Sequence, residues 1–229
     1  MDRLWLRVRA PFAAFRGFQA GTYRATSLVM PPSTAYGLIL NLAAIEMREN
    51  LNEPITTIKK ELPRLHIAIG VVSVSERSSL YQQLHSYPVG ASGKELAPRT
   101  KGAKYWIAPI RREILIDYDG IIGIQAEDAG IFERIQQGLS GEYNSIRYGL
   151  PFAGDNNLLF DRIDAVNDPP DTTRWYARMQ SNDEPRRGSC RLTVGINRTD
   201  NSQTTSFLYA PTTTNSKEPP GSAWTWTPA

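Results

Sequence analysis

The chain has 229 residues, of which 41% are hydrophobic and 21% charged, and its formal net charge is +3 at pH 7. These ordinary values exclude wholesale disorder, a collagen-like repeat and an integral membrane protein. Four arginines interrupt the first 20 residues, where a secretory signal would be apolar, and the longest apolar run, near residues 36–47, is too short to cross a bilayer. The single cysteine, Cys190, excludes an intramolecular disulfide. We therefore expect a cytoplasmic protein with no metal and no other cofactor.

The basic residues are mostly arginine, 20 of 26, and they are unevenly distributed. They dominate residues 1–24 and 94–112, whereas acidic residues dominate 113–171. The arginine side chain offers a rigid fork of donors that suits phosphates and base edges. The distribution predicts one basic surface, suited to nucleic acid, and one acidic surface.

The first predicted elements are a strand, a loop and a helix. Apolar and polar residues alternate strictly over residues 3–10, which predicts a strand with one core face and one basic face. Residues 11–30 have no sustained period and are interpreted as an ordered loop. Ser33 or Thr34 is expected to cap a helix that runs to about residue 49. Gly37 within this helix predicts close approach of another backbone or of a ligand.

A second strand and a long hairpin follow. Residues 65–74 are rich in Ile and Val and predict a buried strand. Residues 75–104 lose this pattern and end in a basic run, so the excursion is longer than a hairpin connection needs. Strand character returns at 105–110, 113–118 and 121–124. We interpret the whole as a long hairpin.

The predicted order is completed by a helix over 129–139, closed by Gly141, and a strand over 158–166 entered from a glycine-bearing turn at 149–157. The resulting pattern is α+β, a ferredoxin-like (RNA-recognition-type) β-α-β-β-α-β domain. Short strands at 174–179, 191–196 and 206–210 predict a small C-terminal β sheet. The predicted domains are 1–166, 167–210 and a flexible tail over 211–229.

The basic strand and loop over residues 3–26 form the most informative candidate site. Cations such as Arg7 and flat aromatic side chains occur together there, as in grooves for single-stranded nucleic acid. The alternative is a solvated basic strand followed by aromatics that pack in the core. Similarly, the turn at 149–157 either cradles a phosphate with backbone amides or is a tight turn without a ligand.

Two histidines, His66 and His85, are available for acid-base chemistry near neutral pH. His66 lies in an apolar strand and is interpreted as structural. His85, near Tyr81 and Lys94, leaves open a metal-independent endoribonuclease. The acidic residues Asp117, Asp119, Glu127 and Asp128 are explained by a strand end and a helix start rather than by a metal centre.

Residues 15–26 (FRGFQAGTYRAT) and 31–38 (PPSTAYGL) resemble the N-terminal signature of the Cas-five family of CRISPR-associated proteins. Residues 109–113 (PIRRE) and 151–156 (PFAGDN) resemble later blocks of the family, notably in type I-B-like members. The resemblance covers about residues 1–166. It implies a ferredoxin-like RNA-recognition fold with a long thumb hairpin, which here would span about residues 75–112.

The resemblance also implies an RNA-binding site. Residues around the loop and the start of the first helix would bind the repeat-derived 5′ handle of the guide RNA: Arg16, Gln19, Arg24, Thr26, Ser33 and Tyr36. Basic residues of the thumb would reach over the guide: Arg99, Lys101, Lys104, Arg111 and Arg112.

By this resemblance the protein is a non-catalytic subunit of a type I Cascade surveillance complex that caps the 5′ handle. Its partners would be the guide RNA, the backbone and large subunits, and the target DNA duplex near the adjacent motif, in interference or guided transposition. Relatives that process precursor RNA use a Tyr and a Lys-His pair, and this sequence contains no Lys-His dipeptide. Metal-independent processing and generic single-strand RNA binding remain the alternatives.

Overall fold

The computed structural model describes residues 2–17, 23–50, 57–88, 105–143, 149–184, 186–197 and 200–228, with backbone only at 83–88, 105–108 and 201. Its helices are α1 (Pro32–Leu42) and α2 (Gly130–Ser140). Neither is long and apolar enough to cross a membrane, nor is any other helix in the described ranges. The strands are β1 (Arg3–Ala13), β2 (Phe15–Arg16), β3 (Tyr23–Arg24), β4 (Thr26–Ser27), β5 (Leu65–Val71), β6 (Glu76–Pro88), β7 (Tyr105–Ala126), β8 (Arg162–Val166), β9 (Arg174–Arg178), β10 (Cys190–Gly195), β11 (Thr205–Pro211) and β12 (Trp224–Thr227).

Ten of these strands form one sheet with the order β10-β11-β9-β5-β7-β1-β8. β12 adds to β5, and β3 and β6 add to β7. All pairs are antiparallel except β3 with β7, which is parallel. β7 therefore belongs both to the central sheet and to the hairpin. Its C-terminal half lies between β1 and β5, and its N-terminal half lies between β6 and β3.

The predicted first strand is confirmed and continues to Ala13. Its even-numbered residues from Leu4 to Ala10 are buried in the core that contains both helices. The odd-numbered face is not a free basic face, because Trp5 is buried in a second cluster on the other side of the sheet. Its ring centroid lies 5.8 Å from that of Trp175 and 6.0 Å from that of Trp224.

The long hairpin is confirmed, but its strands differ from those predicted. The segments 105–110, 113–118 and 121–124 are parts of the single strand β7, and its partner β6 lies inside the excursion. The sequence of β6 is polar, and its residues 76–82 are mostly exposed, so its strand conformation comes from pairing with β7 rather than from an apolar pattern. The tip, residues 89–104, lies outside the described residues.

Helix α1 begins and ends differently from its prediction. Pro31 occupies the N-cap and no side chain caps the helix, so Ser33 and Thr34 lie within the first turn. The helix stops at Leu42 because Ala44 adopts a left-handed conformation with φ 51° and the Ile45 amide bonds to the Leu40 carbonyl. No backbone approaches Gly37 within 4 Å of an added Cβ. The close helix contact is instead at Gly138, where a Cβ would collide with the Leu42 carbonyl.

Helix α2 and the segments around it agree more closely with the prediction. The helix ends with Gly141 at φ 77°, the left-handed cap that glycine favours. The fourth strand of the predicted pattern is β8, which starts at Arg162 and not at residue 158.

The C-terminal region differs from its prediction. The three short strands are present as β9, β10 and β11, but they extend the main sheet through the pairing of Gly70 with Trp175 and do not form a separate sheet. The tail is not a flexible segment: β12 pairs antiparallel with residues 65–68 of β5. Trp224 and Trp226 therefore pack on the chain's own sheet.

Candidate functional site

A groove separates the N-terminal segment around Gly17 from the C-terminal strand β10. It consists of two hollows of about 500 Å³ and about 290 Å³, both lined by Gly17 and Thr193. Thr26 and Ser206 also line the larger hollow, and Ser33, at the start of α1, lines the smaller one. The groove thus brings together three predicted site residues, Arg16, Thr26 and Ser33, and a strand from the other end of the chain.

The charged side chains of this groove are all positive among the described residues. Arg77 of β6 and Arg191 of β10 line the larger hollow, and Arg16 lines the smaller one. No described lining residue is acidic, and many carry hydroxyl groups. Arginine and hydroxyl donors around a concave surface suit an anionic ligand such as a phosphate backbone.

Arg16 is held at the groove by the buried carboxylate of Asp155. Arg16 Nη2 donates to Asp155 Oδ2 over 3.0 Å, and Arg112 Nη1 lies 2.7 Å from the same oxygen. The other oxygen accepts from the backbone and side-chain nitrogens of Asn157, both over 3.0 Å. Two arginines share one carboxylate, so the cluster of Arg16, Arg112 and Asp155 keeps a net positive charge beside the groove.

The turn at 149–157 delivers Asp155 to this position. The Ala153 carbonyl accepts a hydrogen bond from the Ala14 amide over 3.0 Å, which docks the turn on the end of β1. Gly154 has φ 85°, and a Cβ there would collide with the Ala14 carbonyl. The turn therefore orients an arginine through its aspartate, a role that neither sequence interpretation included.

Thr26 orders the segment that forms the groove wall. Its hydroxyl accepts from the Phe15 amide over 2.8 Å, and its own amide donates to Glu113 Oε2 over 2.9 Å. β2 and β4 form a two-residue ladder in which Arg16 lies opposite Thr26. The predicted residues Arg16 and Thr26 are thus neighbours, and the Thr26 hydroxyl is already engaged with the backbone.

The N-terminus of α1 faces the smaller hollow. Pro32 has no amide hydrogen, and the amides of Thr34 and Ala35 turn back to the Pro31 carbonyl. Ser33 and Thr34 line the hollow beside Arg16, and no side chain caps the helix. A helix N-terminus next to an arginine favours a bound anion.

Two further predicted residues lie where β3 joins the hairpin. Arg24 is paired in register with Arg112, and Tyr23 with Arg111. Arg24 forms no ion pair with a residue that the structure describes. Arg111 is exposed, and its Nε donates to Ser79 Oγ over 3.1 Å. The guanidinium groups of Arg24 and Arg111 can therefore bind a ligand at the base of the hairpin.

Comparison with known proteins identifies the family. The family model described as CRISPR-associated protein (Cas_Cas5) matches residues 3–139, which include Arg16, α1, the hairpin and α2 except its last residue. The chain belongs to this family. No curated protein matches the sequence.

Two solved structures are similar to this Cas5-family chain. A chain titled "CRISPR RNA-guided surveillance complex" has a TM-score of 0.61 at 12% identity, covering 96% of this chain and 95% of that one. A chain titled "Crystal structure of Cas protein" has a TM-score of 0.49 at 11% identity, covering 94% and 96%. At such low identity, the first likeness shows that the fold is shared.

Three predicted RNA ligands of this Cas5-family protein have their polar groups engaged within the chain. Arg7 donates two hydrogen bonds to the carboxylate of Asp119. Tyr36 is buried, its hydroxyl donates to the Pro63 carbonyl over 2.8 Å, and burial raises its pKa to about 12. Arg112 is buried on Asp155. These placements give all three side chains contacts within the chain, and their assignment to RNA binding stays a prediction.

The remaining predicted ligands, Gln19, Arg99, Lys101 and Lys104, lie outside the described residues. Their assignment stays a prediction.

Two further titratable side chains, His66 of β5 and Cys190 of β10, lie on strands of the sheet. The His66 Nδ1 atom lies 3.0 Å from Gln125 Oε1, and the His66 ring stacks on Trp226 with centroids 4.8 Å apart. His66 is therefore a satisfied side chain on the sheet, as predicted. In the described ranges no three His, Cys, Asp or Glu side chains are grouped as metal ligands would be. Burial raises the pKa of the Cys190 thiol to about 12, so this cysteine of the groove wall stays neutral.

The sequence did not reveal the second wall of the groove. Arg191 and Thr193 belong to β10, which follows Arg16 by more than 170 residues and carries no recognisable motif. The arginine enrichment was the available signal, but it does not distinguish Arg191 from the other arginines.

Proposed function

We propose that this Cas5-family chain is a non-catalytic, RNA-binding subunit of a type I CRISPR Cascade surveillance complex and caps the 5′ handle of the guide RNA. The groove is the observation that carries the proposal. It combines three arginines, a row of hydroxyl groups and an uncapped helix N-terminus, with no acidic side chain among its described lining residues. A single strand of RNA presents the phosphates that such a surface binds.

The strand order supports a ferredoxin-like RNA-recognition fold as the frame for this site. The elements β1-α1-β5-β7-α2-β8 reproduce the predicted β-α-β-β-α-β order, and they form the contiguous part β5-β7-β1-β8 of the sheet. Both helices contribute to one core. The hairpin of β6 and the N-terminal half of β7 is inserted between β5 and the C-terminal half of β7, and it would serve as the thumb.

In the proposed complex, the handle follows the groove and the thumb reaches over the guide where handle meets spacer. The thumb and the outer surfaces would contact the backbone and large subunits, and the target DNA duplex near the adjacent motif. Target sequence would be read by base pairing with the guide rather than by this chain. Such a subunit acts in the cytoplasm.

The proposed subunit holds the RNA without cutting it. His66 is engaged with Gln125 and Trp226, which leaves His85 of β6 as the histidine on which a metal-independent cut would depend. Endonucleolytic processing of precursor guide RNA is therefore the function that the experiment must separate from capping.

The test is a gel-shift titration in chelator with three RNAs: guide RNA with its native handle, the same RNA with a scrambled handle, and the uncut precursor. We expect tighter binding of the native handle and an intact precursor. Equal binding of native and scrambled handles would reduce the protein to a generic single-strand binder. A discrete cut that His85→Ala abolishes would make it a processing nuclease.

A variant that fills the groove tests whether the handle binds there. Thr193 lines both hollows, so Thr193→Phe would obstruct the RNA path without changing charge. We expect it to weaken handle binding on the order of tenfold, or about 1.4 kcal/mol. The matched control Thr193→Ser keeps a small side chain and the hydroxyl and should bind as the wild type does. Unchanged binding by Thr193→Phe would place the handle elsewhere.

A further inference from the structure

Tyr23, Arg111 and Tyr81 form a row across three adjacent strands. Arg111 of β7 is the register partner of Tyr23 on β3 and of Tyr81 on β6. Register partners on neighbouring strands project from the same face of a sheet. The row therefore presents a guanidinium group between two phenol rings, and adjacent members are separated by roughly 5 Å, the spacing of strands.

The two tyrosines of this row are exposed to solvent. Tyr23 is 49% exposed and Tyr81 is 69% exposed. Neither ring contacts another ring or a cation among the described residues. Arg111 is oriented by the hydrogen bond from its Nε to Ser79 Oγ, which leaves its terminal nitrogens free of described partners. Large exposed aromatic side chains grouped in this way mark a binding surface.

The row is continuous with the groove. Arg77, Ser79 and Tyr81 alternate along β6 and therefore lie on one face of the hairpin. Arg77 lines the larger hollow together with Gly17 and Thr26. A chain that leaves this hollow along β6 would meet Ser79 first and then the row.

We propose that Tyr23, Arg111 and Tyr81 are a stacking platform for unpaired bases of single-stranded RNA. Aromatic rings and the planar guanidinium group accept a base on their faces, and the roughly 10 Å between the outer strands leaves room for two or three splayed bases. The groove arginines hold the phosphates while the platform holds the bases. This inference rests on the proposed function only in taking RNA as the ligand.

The test distinguishes contacts with the RNA bases from contacts with the phosphates. Full-length protein is titrated by fluorescence anisotropy with single-stranded guide RNA and with the same RNA made abasic across the handle, which keeps every phosphate. Tyr23→Leu and Tyr81→Leu should each lower affinity for the intact RNA by roughly 5- to 100-fold, because each removes one stacking face. Neither should change affinity for the abasic RNA, which the wild type itself should bind more weakly.

Two variants serve as controls. Tyr81→Phe keeps the ring and should bind intact RNA as the wild type does. Phe12→Leu removes an aromatic that is 44% exposed. Phe12 pairs with Ile116, five residues from Arg111 along β7 and so on the opposite face, and its loss should leave affinity unchanged.

Three outcomes would overturn the platform proposal. They are equal losses of affinity for intact and abasic RNA in the Leu variants, no loss of affinity in either Leu variant, or equal affinity of the wild-type protein for intact and abasic RNA. The second would leave the row as a surface for a protein subunit. These outcomes are independent of handle specificity, which the scrambled-handle titration measures. Base-dependent losses on both native and scrambled RNA would preserve the platform while contradicting the capping function.

Discussion

At the scale of single residues, Asp155 is the side chain on which the geometry beside the groove most depends. Its side chain is fully buried and contacts Arg16 and the buried Arg112. Asp155→Ala would leave the Arg112 charge buried without its partner. We expect the free energy of unfolding to fall by about 3–5 kcal/mol, measured by denaturant titration followed by circular dichroism.

The matched control is Glu218→Ala, which breaks the exposed ion pair between Glu218 and Arg3. Exposed pairs contribute about 0–1 kcal/mol, so this variant should unfold almost as the wild type does. Similar losses in both variants would contradict the special position of Asp155, as would an Asp155→Ala protein of native stability.

The same residue shows what the sequence could and could not predict about the site. Arg16 and Ser33 were predicted because each lies in a local motif that resembles the family signature. Asp155 was interpreted only as part of a turn. Its contact with Arg16 was not predicted, because the two residues lie 139 positions apart in the sequence. Local patterns identify a candidate residue, whereas the partner that orients it comes from the tertiary fold.

At the scale of elements, prediction succeeded where one strand or helix buries one face. The alternation of β1 and the cap of α2 are local signals, and both elements were found. β6 and β12 were missed for the opposite reason: β6 is a polar strand on the exposed hairpin, and β12 is a four-residue strand in a Thr- and Pro-rich tail. Their conformation is fixed by pairing with β7 and β5, which a single-sequence pattern does not encode.

β12 supplies a prediction about the tail. Trp224 packs on Trp5, and the neighbouring Thr225 hydroxyl lies 2.7 Å from the buried Tyr209 hydroxyl. We expect Trp224→Ala to lower the free energy of unfolding by about 2–3 kcal/mol, less than for a fully buried tryptophan because Trp224 is half-buried.

Thermal and denaturant unfolding followed by circular dichroism measure this loss. Leu208→Ala, at an exposed position of β11, is the control and should cost about 0.5 kcal/mol or less. A Trp224→Ala protein as stable as this control would restore the interpretation of the tail as a flexible segment.

At the scale of the whole molecule, the separation of charge along the sequence is not a separation in space. β1 lies between β7 and β8, so Arg7 meets Asp119 and Arg9 meets Asp164 across the strands. The acidic segment thereby neutralises much of the basic N-terminal strand. Among the described residues, arginines without an ion pair remain at the groove and the hairpin base: Arg24, Arg111 and Arg191.

This charge distribution predicts which arginines control the salt dependence of the proposed RNA binding. Arg24 and Arg191 form no ion pair with any described residue, and each lies at the groove or the adjoining hairpin base. For single strands each lost phosphate contact lowers the slope of log K against log salt by about 0.7. Arg24→Ala and Arg191→Ala should each show this change in anisotropy titrations between low and physiological salt. Arg3→Ala removes the same charge at the far end of β1 and should leave the slope unchanged; equal changes in all three would mean that net charge, not the groove, attracts the RNA.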